Sequence, residues 1–63
     1  MEWYTKAAEH GNITAQFNLG GCYEHGDGVA KDKEKAVEWY TKAAEQGHSS
    51  AREELEGMQR LAA

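Results

Sequence analysis

Proline is absent from this sequence, and cysteine occurs once, at position 22. A single thiol cannot form a disulfide within the chain, which excludes a disulfide-stapled fold. It also fits a reducing compartment. No apolar run approaches the ~20 residues of a membrane span, and no apolar secretory segment follows Met1. Together these absences point to a cytoplasmic setting and away from a membrane. Clustered basic residues are lacking as well. Lys and Arg number 7 against 11 Asp and Glu, the net charge is −4, and the two signs are interspersed. Nucleic acid, which is held by concentrated Lys and Arg, is therefore not an expected partner.

What the sequence does contain is a repeat. Residues 2–9, EWYTKAAE, recur letter for letter at 38–45. The same shift of 36 also pairs Gly11 with Gly47, Ala15 with Ala51, Leu19 with Leu55 and Gly21 with Gly57. A period of this size marks units of two helices, each too small to bury its apolar face alone. Stacking matters here because a chain of 63 residues hides only roughly 60% of its unfolded surface. Short chains of this kind rely on well-packed helices or partners where disulfides are missing.

In the absence of proline, glycine provides the punctuation. Gly11, Gly26 and Gly47 each follow an amphipathic stretch, where a left-handed residue ends a helix. The pattern predicts four helices, near 2–10, 13–25, 33–46 and 50–62. Asn12 is placed to cap the second and Asp32 the third. Ser50 to Glu53 has capping-box spacing for the fourth. Glu2/Lys6 and Glu38/Lys42 are i,i+4 pairs, each worth about 0.2–0.5 kcal/mol, so packing must supply most of the stability.

In the third helix, Ala36, Val37, Trp39, Tyr40, Ala43 and Ala44 form a buried stripe at about 100° per residue. Lys35, Glu38, Thr41, Lys42 and Glu45 fall on the solvent side. Ala15, Leu19, Cys22 and Tyr23 make the matching stripe of the second helix. Small alanines facing Gly20 are expected to let the two helices approach closely, and Leu19, Trp39, Tyr40 and Leu55 to share one interior. The loop from Gly26 to Asp32 turns on two glycines, with Val29 as a plug. It lacks the Gly-Lys-Ser/Thr of a phosphate loop.

The run Ala15-Gln16-Phe17-Asn18-Leu19-Gly20 is followed by Tyr23, Gly26-Asp27-Gly28-Val29, Asp32, Lys35-Ala36, Trp39-Tyr40, Lys42-Ala43-Ala44 and Gly47. This combination resembles the Sel1-like repeat, an αα-repeat of the tetratricopeptide superfamily. The resemblance covers the whole chain. It implies an all-α αα-hairpin solenoid: four helices in about one and a half repeats, coiled as a right-handed superhelix. On this reading residues 1–11 are the second helix of a partial repeat, 12–47 a full repeat, and 48–63 a C-terminal capping helix. It also implies an adaptor or scaffold role with protein or peptide partners. Cysteine-rich bacterial relatives carry a disulfide in each repeat and have been credited with β-lactam binding or hydrolysis. Here Cys22 has no partner, and Ala44 stands where one would be sought.

The resemblance maps Thr14, Phe17, Gly21, Glu24 and His25 toward a concave partner-binding groove. For Phe17 two readings stand: an aromatic anchor in that groove, or packing against the next repeat. Cys22 and His25 are i,i+3, but a zinc site needs three or four ligands, so no metal site is assigned. Cys22 is read as a small core residue. The three histidines are read as helix-end residues that favour the dipole when protonated. Glu53, Glu54 and Glu56 are read as a solvated face, the first two in the first helical turn. No catalytic residue and no cofactor is assigned.

The two copies of the first-of-pair helix differ on one side. Ile13, Phe17, Gly20 and Glu24 become Ser49, Glu53, Glu56 and Arg60, the polar face expected of a terminal cap. Ala51, Leu55, Met58 and Leu61 or Ala62 form its apolar side. At the other end, Trp3 and Tyr4 open the chain on a second-of-pair helix. Their apolar surface points to a longer array or to homo-oligomerisation through that end. The sequence thus reads as a non-catalytic interaction module that takes a protein, a peptide or another copy of itself. The alternatives are a small hydrolase like the cysteine-rich relatives, or an excised or consensus repeat with no role of its own.

Overall fold

The computed structural model describes residues 2–62, with side chains from 3 to 60. Four helices follow one another: α1 (Glu2–Glu9), α2 (Ile13–His25), α3 (Lys33–Glu45) and α4 (Ser49–Ala62). Each packs on the next in chain order. The molecule measures 33 × 27 × 13 Å. Non-consecutive helices also meet: Ile13 and Phe17 of α2 pack against the cluster that holds Ala51 and Met58 of α4, and Trp39 of α3 packs against the cluster that holds Ala8 of α1.

The 36-residue repeat is visible bond by bond. The turn between α1 and α2 is made by Gly11 N–H on Ala8 O (3.1 Å) and Asn12 N–H on Ala7 O (3.0 Å). The turn between α3 and α4 repeats it, with Gly47 N–H on Ala44 O (2.9 Å) and His48 N–H on Ala43 O (3.1 Å). Gly11 and Gly47 have φ of 90° and 96°, a region that L side chains avoid and glycine enters freely.

Asn12 Oδ1 accepts the Ala15 N–H at 2.9 Å, and Asp32 Oδ1 accepts that of Lys35 at 3.2 Å, the expected caps of α2 and α3. The fourth helix differs from expectation. It starts at Ser49, so Ser50 lies inside it and forms no capping box. His48, the repeat equivalent of Asn12, caps instead, its Nδ1 accepting the Ala51 N–H at 3.1 Å. This places His48 at a helix N-terminus and moves Glu53 and Glu54 beyond the first turn.

The interior consists of two clusters rather than one. Tyr40, Ala36, Ala43, Ala51 and Met58 form the first, with Leu55 and Phe17 against it. Ala8, Ala15 and Leu19 form the second, with Trp39 and Tyr4 against it, and Tyr23 touches both. Each cluster joins three consecutive helices, α2 to α4 in the first and α1 to α3 in the second. Leu61 and Ala62 lie outside the residues whose side chains are described, as does the Glu2 partner of Lys6. Lys42 Nζ lies 5.0 Å from the Trp39 ring centroid, a cation–π contact. Thr41 is half-buried, not on the solvent side, and its hydroxyl donates to Val37 O at 2.7 Å.

Gly20 does not face alanines. It faces the ring of Tyr40, and an added Cβ would lie 2.8 Å from Cδ1 and 2.9 Å from Cε1. A second unforeseen contact is Gln16, only 4% exposed. Its amide nitrogen donates to Ala8 O at 2.9 Å, and its amide oxygen accepts from Gln46 Nε2 at 2.6 Å. This one residue ties α1, α2 and the end of α3 together with its polar atoms satisfied, which is the condition for burying an amide at low cost.

Candidate functional site

Tyr40 organises the centre of the molecule. The missing side chain at Gly20 lets its ring lie against α2, and its hydroxyl donates to Glu24 Oε1 at 2.8 Å. Burial, then this bond and the nearby charges of Glu24 and Glu54, push its phenol well above the usual range, so it stays a neutral donor. Phe17 lies beside it, with centroids 5.6 Å apart, and stacks on His48 at 4.5 Å and 20°. The cap at Ala51 fixes the His48 ring, so the N-terminus of α4 and the aromatic wall of α2 are held as one unit.

A cleft of about 410 Å³ opens above these rings. Helix α2 lines it with Phe17, Asn18, Gly21, Cys22 and His25, and the following loop adds Asp27. The other three helices contribute Tyr4, Tyr40 and Glu54. Every helix thus supplies a wall. The surface mixes aromatic rings with an amide and carboxylates, and no Lys or Arg lines it.

Of the residues assigned to the groove from sequence, Phe17, Gly21 and His25 line this cleft. Glu24 lies behind it as the acceptor for Tyr40, with its carboxylate 3.6 Å from His25 Nε2. Thr14 is exposed and does not line the cleft. Cys22, expected in the core, is half-exposed along it. Asn18, Asp27 and Glu54 were not foreseen, and the cross-chain position of Glu54 leaves no local signal. Trp3 and Tyr4 touch edge to face at 5.1 Å but serve different surfaces: Tyr4 turns to the cleft, while Trp3 is 69% exposed.

A second groove, of about 390 Å³, runs between α3 and α4. Ala44 and Leu55 line it along with Thr41, Glu45, Arg52, Glu56 and Gln59. Among the described residues, no three His, Cys, Asp or Glu side chains gather to hold a metal ion, and no helix is long and apolar enough to cross a membrane.

The Sel1 repeat matches residues 1–12 and 13–48, which cover the paired helices and the first glycine turn. The chain belongs to the Sel1 repeat family. Sel1 repeats generally serve as protein–protein interaction modules and non-catalytic scaffolds. A Sel1 repeat protein from Oxalobacter formigenes superposes with a TM-score of 0.84 and 54% identity over 86% of this chain. A protective antigen of uropathogenic Escherichia coli with the same repeat fold superposes with a TM-score of 0.85 and 48% identity over 90%. Among curated proteins, DAP3-binding cell death enhancer 1 of Rattus norvegicus is 50% identical over 37 residues, and that of Mus musculus 48%. The chain spans 7% of the length of these two relatives, and 22% and 12% of the two solved structures.

Proposed function

We propose that this chain is a non-catalytic interaction module that seats a protein or peptide segment in the cleft above Phe17 and Tyr40. The observation that carries this reading is the cleft itself. All four helices wall it, and two of its rings are fixed from behind, by Glu24 and by His48. Pre-fixed aromatic walls lower the ordering cost of binding, and half-buried aromatics are common interface anchors. The role of Thr14 in the sequence-based groove is not retained. Asn18 and Glu54 take its place as polar contacts. The half-exposed thiol of Cys22 suits a reducing compartment.

Selection of a displayed random-peptide library against the chain tests the reading. Selected peptides should lose about tenfold or more in affinity when Asn18→Lys alters the cleft, and nothing when exposed Lys33 on the remote end of α3 becomes Ala. Peptides indifferent to Asn18→Lys would refute the cleft as the binding surface. Self-association is a finer part of the same proposal. The exposed Trp3 supports contact with another copy on a surface other than the α3–α4 groove, and Trp3→Ala should abolish any rise of sedimenting mass with concentration.

A further inference from the structure

The repeat places a ready-made ligand and a ready-made receptor on one chain. Helix α1 repeats residues 38–45 of α3, so Trp3 and Tyr4 correspond to Trp39 and Tyr40. The α3–α4 face repeats the α1–α2 face, with Ala44, Ala51 and Leu55 standing where Ala8, Ala15 and Leu19 receive Trp39. If these two surfaces were fully complementary, each copy would dock its α1 on the next as α3 docks within the chain. Such a contact is heterologous and adds copies without limit.

One position breaks the match. Gly20 admits the Tyr40 ring because it has no Cβ: one placed there would lie 2.8 Å from the ring. The residue 36 positions on is Glu56. We infer that Glu56 closes the α3–α4 face to α1 of a second copy, because its Cβ occupies the space that Tyr4 would need. Two further changes act in the same direction. Arg60 stands where Glu24 accepts the Tyr40 hydroxyl, and Arg52 where Gln16 accepts from Gln46. Glu56 is therefore a specificity residue. It keeps the apolar floor of Ala44 and Leu55 from recruiting other copies while remaining exposed itself.

Sedimentation velocity on the full chain tests this. The opening variant combines Glu56→Gly with Gly57→Ala, which returns the helix propensity that the new glycine removes. Circular dichroism should show unchanged helix content. Its self-association constant should exceed that of the wild type by about tenfold to a hundredfold, the relief of a typical overpacking clash, and Tyr4→Asp in that background should reverse the gain. Glu56→Ala removes the charge but keeps the Cβ, so it should sediment like the wild type. The inference is overturned if the opening variant sediments like the wild type, if Tyr4→Asp leaves its association intact, or if Glu56→Ala associates as strongly. Glu56 and Gly57 lie outside the cleft, and Tyr4, which lines it, is changed only in the opening background, so the association readout fails separately from peptide binding.

Discussion

Replacing Gly20 by alanine is an ordinarily favourable change that this structure makes unfavourable. In a helix interior, Gly→Ala gains about 0.8–1.0 kcal/mol of propensity. At position 20 the added Cβ would lie 2.8, 2.9 and 3.1 Å from Cδ1, Cε1 and Cγ of Tyr40. Carbon atoms prefer about 3.5–4.0 Å, so the ring must retreat by about 0.7 Å or more. It has little room to do so. Tyr40 is 2% exposed, its hydroxyl is held by Glu24, and Phe17 flanks it. Forcing a methyl group into such a site costs about 1–3 kcal/mol, which cancels or exceeds the propensity gain, so Gly20→Ala should destabilise by up to about 2 kcal/mol. Gly57, its neighbour in the repeat map, is exposed with no atom within 4 Å of a built Cβ. Gly57→Ala should therefore stabilise by close to the full propensity term. Urea unfolding followed by circular dichroism measures both. A third variant isolates the cause: in a Tyr40→Ala background the clash is gone, and Gly20→Ala should change from destabilising to stabilising. A Gly20→Ala protein as stable as Gly57→Ala, or no change of sign in the Tyr40→Ala background, would refute the argument.

Two further effects follow from the same side chains. Tyr40 has its phenol raised by burial and by Glu24, so the folded state holds its proton while an unfolded chain releases it near the ordinary tyrosine value of about 10. The contribution is complete below that pH and is lost as pH rises through and above it, at up to about 1.4 kcal/mol per pH unit for one proton. Stability curves from pH 8 to 11, roughly spanning that tyrosine range, should fall less steeply for Tyr40→Phe than for the wild type, and parallel curves would contradict the assignment. Phe17→Ala, which removes the stack on His48 and the contact with Tyr40, should cost about 1–3 kcal/mol in urea titrations. That is below the ~3–5 kcal/mol of a fully buried ring, because Phe17 is only half-buried. An unchanged midpoint would show that the ring contributes nothing to the fold.

The parts of this fold that could be read from the sequence are those written in local spacing. The four helices, their caps at Asn12 and Asp32, and the register of 36 depend on residues within a few positions of each other or on literal repetition. The parts that could not be read are pairings between helices. Gln16 looks like a surface residue because its letter is polar, and only the two amide partners contributed by α1 and α3 make it a buried one. His48 has no N-cap preference comparable to Ser or Asp, yet the turn puts its ring nitrogen in that role and its face on Phe17. The cleft was half legible for the same reason. Phe17, Gly21 and His25 follow from one helical face of α2. Tyr4 and Glu54 reach the cleft only because α1 and α4 flank that face, an arrangement that no periodicity along a single helix expresses. Thr14 lies outside the cleft for the complementary reason, since it belongs to the extrapolated face but precedes the part that the other helices enclose.

The interior is two small clusters, each shared by three helices. With so few buried side chains, the same residues make both the core and the binding surface. Tyr40 is the clearest case. It is among the largest fully buried side chains, it borders the cleft, and it defines the junction that the repeat would propagate. In such a fold the choice between glycine and glutamate at one repeat position affects more than local stability. At position 20 glycine creates the junction between α2 and α3, while at position 56 a side chain on the same floor of alanine and leucine denies it. The alanines and leucine of the floor are the same residue types in both places. Shape at one Cβ, more than the apolar character of the floor, therefore governs whether a neighbouring helix is admitted.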